Sequence, residues 1–234
     1  MPISTERMTG PHLYGYSAKP DCAARAGVLI LPTIFGVNDF ARGYANTLAE
    51  AGLFAAVWDI NSGLPVTADY QECIRRARTL TDSAVAEMVR KWMDMMIAEI
   101  EGGPIGLVDF CIGGRFALLS AAEDKRVRAC AAAYPSIENP RLPNQEKDAL
   151  GLASAIDCAV HILQPGKDHV TADATYDALK KSLFARPVPT VLQFHPEAEH
   201  GFMHREQPAA NRAATRLASP QLLAFLKASL VNAD

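Results

Sequence analysis

The chain has 234 residues, 49% of them hydrophobic, with a formal net charge of −3. That is ample apolar material for a large core, and α/β chains of this length commonly fold as one unit, so a single domain over 1–234 is expected. The near-neutral charge gives no electrostatic footprint for nucleic acid or an anionic membrane surface, and no apolar run reaches the roughly eighteen residues that would span a bilayer.

Met1 to Gly10 is polar and lacks the apolar stretch of a secretory signal. Five cysteines (Cys22, Cys73, Cys111, Cys130, Cys158) are odd in number and scattered, with no CxxC pair, which argues against a disulfide framework and a zinc site. A reducing cytoplasm, where a reactive thiol persists, is the expected location.

The run from Ala26 to Leu31, ended by Pro32, predicts a buried strand of a parallel sheet. After a loop over 33–36, Asn38 caps a predicted helix to about Ala51, with Phe40, Tyr44 and Leu48 on one face and Gly52 closing it. Leu53 to Ile60 predicts a second strand. From about Ala68 to Glu101 the pattern is helical, in one or two pieces, and Met88, Trp92, Met95 and Met96 form a stripe that reads as core packing. Ile105 to Phe110 is a third buried strand, and Phe116 onward continues with helical spacing. Val127 to Tyr134 is an alanine-rich strand, and 135–151, with three prolines, a loop over the top of the sheet. Ala159 to Leu163 predicts another strand, then a helix starting near Thr171 or Asp173 that buries Tyr176, Leu179 and Leu183. Pro189 to His195 predicts the last strand, and a final helix runs from about Pro220, or somewhat earlier, to Val231. Strands alternating with helices give an α/β fold with a mostly parallel sheet covered on both faces.

In such sheets chemistry gathers beyond the C-terminal strand ends. The third strand stops at Cys111, with Gly113 and Gly114 following before a helix. Strand, sharp turn carrying a thiol, helix is the arrangement of a nucleophile elbow, and the helix N-terminus favours thiolate. The bland alternative is a small buried core cysteine. Later strand ends supply Asp168, then His195, His200 and His204. Nucleophile, acid, histidine is the chain order of α/β-hydrolases, and the separations, 57 residues from Cys111 to Asp168 and 32 to His200, span whole βα units. His200 would take the thiol proton, Asp168 would fix the imidazole tautomer, and the N–H groups of Ile112 and Ile34 would bind the oxyanion. Taken singly, Asp168 reads sooner as a cap for the next helix, His200 as readily as a surface or core histidine, Asp59 as a turn or helix-linking carboxylate, and His169 as at most a supporting residue.

Four segments give the chain a resemblance to the dienelactone hydrolase family, of the α/β-hydrolase superfamily: Pro32-Thr33-Ile34-Phe35-Gly36-Val37-Asn38, Phe110-Cys111-Ile112-Gly113-Gly114, Gly166-Lys167-Asp168-His169 and Glu199-His200-Gly201-Phe202. The resemblance covers nearly the whole length. It implies a Cys111–Asp168–His200 triad, an oxyanion hole at Ile34 and Ile112, and hydrolysis of an enol-lactone such as a carboxymethylenebutenolide to maleylacetate, with no cofactor and no metal. Three positions depart from the pattern of well-studied members: Thr33 stands where they carry a glutamate that accepts a hydrogen bond from the resting thiol, Asp109 where they carry glycine, and His204 where they carry an arginine for the substrate carboxylate, Arg205 lying one residue later.

Thr33, Phe35, Tyr134 and Arg205 are the expected substrate contacts, with pocket walls from loops 61–67, 135–150 and 201–207. The expected partner is a small ester or lactone, acted on by a monomer or small homo-oligomer. Two other readings stand beside this one. Phe194-His195-Pro196-Glu197 resembles the histidine motif of class I glutamine amidotransferases, although Asp109 and Phe116 do not fit that family's elbow. A hydrolase fold that has lost catalysis and serves as a binding module is the other.

Overall fold

A computed structural model describes residues 1–10 and 13–231. The strands are β1 (Ile3–Gly10), β2 (Leu13–Pro20), β3 (Gly27–Leu31), β4 (Phe54–Trp58), β5 (Ile105–Phe110), β6 (Val127–Ala133), β7 (Ala159–Lys167) and β8 (Thr190–Glu199). They form one sheet in the order β1-β2-β4-β3-β5-β6-β7-β8. From β4 to β8 every neighbouring pair is parallel, while β1 and β2 are antiparallel additions at one edge. The helices are α1 (Asp39–Glu50), α2 (Tyr70–Ala77), α3 (Asp82–Glu99), α4 (Ile112–Glu123), a short α5 (Ala149–Leu152), α6 (Asp173–Phe184) and α7 (Ala209–Leu230). No helix among the described residues is long and apolar enough to cross a membrane.

The central strands read as unbroken apolar runs because both faces are covered. Leu29, Leu31, Leu107, Cys130 and Ala132 pack on one face with residues of α3, α4 and α6, including Trp92 and Met96. Val28, Ile30, Val108, Phe110 and Ala131 pack on the other with residues of α1 and α7. Asn38 caps α1, its side chain accepting the Ala41 N–H at 3.0 Å. The long helical stretch divides at Thr81, which caps α3.

Two expectations need correction, and one pair of strands has no counterpart in the sequence pattern. The hairpin β1–β2 was not anticipated, because β1 is largely exposed and has no alternating apolar pattern. Within it Gly15 is required: a Cβ there would lie 2.1 Å from the Val57 carbonyl oxygen and 2.8 Å from the Trp92 ring. The last helix begins eleven residues before Pro220 and runs through it. An interior proline costs roughly 3 kcal/mol, but Asn211, Ala214, Ala218, Leu222, Leu226 and Leu230 keep one buried stripe across it. The helix expected to start near Thr171 or Asp173 does so: α6 begins at Asp173, with Ala172 as its N-cap and no side-chain cap bond. Finally, β7 and β8 each run four residues further than their apolar patterns, to Lys167 and Glu199. The consequence for chemistry is direct: Cys111, Asp168 and His200 are each the first residue beyond a strand.

Candidate active site

The elbow is built from backbone constraint. Cys111 sits at φ 61°, ψ −118°, a region costly for a residue with a side chain and sustained only by its surroundings. Those surroundings are specific. The Cys111 N–H donates to the Ala133 carbonyl at 3.1 Å, and its own carbonyl accepts from Gly114 at 3.0 Å and Ser136 at 2.8 Å. At Gly113 a Cβ would fall 2.1 Å from the Leu31 carbonyl oxygen, so the first turn of α4 lies directly against the end of β3. One turn on, the buried Arg115 pairs with Asp82 and donates to the Lys147 carbonyl, fixing α4 to the start of α3.

Asp168 is held equally firmly. Oδ1 accepts from the N–H groups of Val170 (2.8 Å) and Thr171 (2.9 Å), and Oδ2 from the Tyr176 hydroxyl (2.9 Å). His200 Nδ1 lies 3.0 Å from both oxygens. The carboxylate therefore serves as turn acceptor and imidazole partner at once. Burial works against its charge, but His200 and the two backbone N–H groups outweigh it and hold the pKa below the ordinary carboxylate value.

Burial also opposes charge on His200, yet Asp168 and Cys111 raise its pKa to about 9. Burial opposes ionisation of Cys111, yet His200, the Ser136 hydroxyl and the Ile112 N–H bring the thiol below its ordinary value. These shifts describe a coupled pair, and their common direction is toward thiolate and imidazolium. The contact itself is not closed: Nε2 of His200 is buried without a hydrogen-bond partner among the described residues, and the Cys111 sulfur instead has the Ser136 hydroxyl at 3.2 Å. Ile112 N–H faces the sulfur, and the N–H of Ile34, on the loop after β3, has no partner among the described residues.

Cys111, Ile34, Ile112 and His200 open on a cavity of about 130 Å³. Thr33, Phe35 and Arg205 line it as expected; Thr33 Oγ1 accepts the Phe35 N–H at 3.3 Å and makes no bond to the thiol. Tyr134 does not line it. Its ring is fully buried behind His200, edge-on to that imidazole at 5.3 Å, with its hydroxyl 3.3 Å from His204 Nδ1. His204 does line the cavity, and burial, aided by Arg205 and His200, lowers its pKa to about 4, which favours a neutral ring there.

Other expectations shift. Loop 61–67 is absent from this wall; Tyr70, Ile74, Ala77 and Arg78 at and just beyond α2 take its place. His169 lines the cavity, its ring perpendicular to His200 at 5.9 Å. Asp59 is a turn carboxylate, accepting from Asn61 and Gly63 N–H groups. His195, of the amidotransferase-like motif, packs on Phe202 and does not reach the cavity. Among the described residues no group of three or more His, Cys, Asp or Glu could hold a metal ion. Asp109 lies beneath the elbow, fully buried, with no hydrogen-bond partner for either oxygen among the described residues; burial, then the nearby Cys111, raises its pKa well above the ordinary value. Ser136 and Tyr176 were not anticipated in the site. Ser136 lies in the proline-rich loop after β6 and is the first serine beyond that strand, and Tyr176 reads from the sequence only as a position on the buried face of its helix.

Residues 13–230 match the model of the dienelactone hydrolase family. The chain belongs to that family. A carboxymethylenebutenolidase from Rhodococcus opacus is 29% identical over 196 residues, covering 82% of this chain and 75% of the relative. Among solved structures, a dienelactone hydrolase-like promiscuous phosphotriesterase from metagenomic libraries superposes with a TM-score of 0.81 at 18% identity, over 97% of this chain and 99% of that one. A dienelactone hydrolase from Anabaena variabilis superposes with a TM-score of 0.70 at 19% identity, over the same shares of each chain. This dienelactone hydrolase-family chain therefore has the α/β-hydrolase fold and is a hydrolase.

Proposed function

We propose that the protein hydrolyses a small lactone or carboxylic ester through Cys111, His200 and Asp168. The observation that carries the reading is the convergence of three residues, each one step past a strand end, with both Asp168 oxygens on Nδ1 and the thiol and imidazole facing one cavity. Cys111 thiolate adds to the carbonyl carbon, and the resulting oxyanion accepts from the N–H groups of Ile112 and Ile34. The tetrahedral species collapses, the carbonyl carbon–oxygen bond breaks, and the departing oxygen takes the proton from His200 Nε2. The acyl group is left as a thioester. Water then adds, giving its proton to Nε2, and collapse releases the carboxylic acid and the Cys111 thiolate. Asp168 stays ionised throughout and keeps Nδ1 protonated.

The walls support an anionic substrate of modest size. Arg78 and Arg205 line the cavity, neither forms an ion pair among the described residues, and the one acidic wall residue, Glu138, accepts from Gln145 at 2.5 Å. An enol-lactone carrying a carboxylate, of the carboxymethylenebutenolide type, fits these features. The test is a panel of carboxylated lactones and neutral p-nitrophenyl esters against wild type, Cys111→Ala, His200→Ala and Arg78→Ala. Activity is expected to vanish in the first two variants, with folding retained. Arg78→Ala is expected to raise KM for carboxylated lactones alone. Full turnover by Cys111→Ala would overturn the mechanism, and an inert, unlabelled Cys111 would favour the binding-module reading.

A further inference from the structure

Ser136 is bound to the elbow in two ways, and its place does not depend on the thiol. Its N–H donates to the Cys111 carbonyl at 2.8 Å. The residues on either side are tied to the acid loop: the Thr171 hydroxyl donates to the Pro135 carbonyl at 2.9 Å and accepts from the Ile137 N–H at 3.2 Å. Thr171 N–H in turn donates to Asp168. The segment 135–137 thus bridges the nucleophile's turn and the carboxylate's turn. It delivers a hydroxyl, 5% exposed, to 3.2 Å from Sγ, with no other partner for that hydroxyl among the described residues.

From this geometry we infer that Ser136 is a positioning residue that holds Cys111 as a resting thiolate, its O–H donating to the sulfur while the proton resides on His200. The inference rests on Cys111 being the nucleophile. A hydroxyl is suited to this role in a way a carboxylate is not. It donates to S⁻, whereas a carboxylate can only accept from S–H and so favours the neutral thiol. Thr33, the neutral side chain after β3, spends its oxygen on the Phe35 N–H and leaves the sulfur to Ser136. Once the sulfur is acylated it is uncharged and a poor acceptor. The hydroxyl bond then weakens at the step where His200 must turn from the thiolate toward the leaving oxygen and water. Ser136 thereby favours the free enzyme's thiolate without tethering the thioester.

The experiment measures the pH dependence of iodoacetamide alkylation of Cys111 in substrate-free protein. A Cys22→Ser background removes the exposed thiol, and peptide mass mapping assigns the label. Ser136→Ala keeps the backbone bond and is expected to react about tenfold more slowly below the midpoint, with the midpoint displaced upward. Ser136→Thr, which keeps the hydroxyl, is expected to restore the wild-type profile. Thermal melts check that both variants fold, and the ultraviolet absorbance of the thiolate provides a second readout should Ser136→Thr pack poorly. A Ser136→Ala profile superimposable on wild type would overturn the inference. Failure of the nucleophile reading is separately visible, as undiminished ester hydrolysis by Cys111→Ala.

Discussion

Replacing Asp168 with asparagine separates the two jobs of that carboxylate. The turn can be kept: Oδ1 must remain the acceptor of the Val170 and Thr171 N–H groups, because an amide nitrogen cannot accept them. The amide nitrogen then takes the place of Oδ2, facing Tyr176, whose hydroxyl can turn to accept, and His200 Nδ1 at about the present 3.0 Å. A donor now faces Nδ1, and the one remaining acceptor, Oδ1, already takes two backbone N–H groups, so the imidazole proton shifts toward Nε2, the atom that should receive a proton from Cys111. Loss of the carboxylate also removes the charge that helps raise the His200 pKa to about 9. A wrong tautomer of this kind in a Ser-His-Asp enzyme costs about 10⁴ in kcat, or roughly 5.4 kcal/mol of transition-state stabilisation. We expect a loss of that order in steady-state hydrolysis of an activated ester, with KM little changed. Because a raised histidine pKa contributes stability that is present below the unfolded value and lost as pH rises through about 9, the variant should also lose the part of its alkaline stability decline that His200 causes. Activity within tenfold of wild type, with the His200 titration unmoved in NMR, would refute the tautomer argument.

Three further outcomes follow from named groups. The rate profile should be bell-shaped, rising as Cys111 ionises below its ordinary value and falling near pH 9 as His200 loses the proton it must give the leaving group; a plateau extending well above that limb would contradict the assignment. Burial raises the Asp109 pKa well above the ordinary carboxylate value, so the fold is expected to lose stability progressively as pH rises above the unfolded value, by about 1.4 kcal/mol for each pH unit over which the folded carboxyl stays protonated and the unfolded one does not. Asp109→Asn should therefore be more stable than wild type in urea at about pH 8 and indistinguishable at about pH 4; parallel curves at the two pH values would sink this. Arg115→Ala leaves Asp82 buried without its cation and should cost about 3–5 kcal/mol in the same assay, with a loss under about 1 kcal/mol showing that water compensates the pair.

Much of this chain was readable because its central strands are buried on both sides and stop abruptly. The apolar run from Ile105 to Phe110, the thiol and the glycines place the elbow without coordinates, and Asn38 and Gly52 bracket α1. What sequence concealed was of two kinds. Structure whose stability is tertiary leaves little local pattern: β1 is exposed and gains its place by pairing with β2, and α7 crosses Pro220 because its buried stripe outweighs the broken bond. Polar residues whose role depends on aim, not type, were equally hidden. Ser136 and Tyr176 have ordinary side chains in ordinary contexts, and only the ends of β6 and β7 bring their hydroxyls to Cys111 and Asp168. Conversely, His195 carried a suggestive motif and points away from the chemistry.

The contact of Gly113 with the Leu31 carbonyl also acts as a gauge. Ile112 lies immediately before that glycine and Ile34 three residues after that carbonyl, so the two N–H groups that would share an oxyanion are spaced by a contact in which only hydrogen fits. Even a methyl group would force the two loops apart, moving both donors without touching either. The span between them is thus set by an absence of side chain.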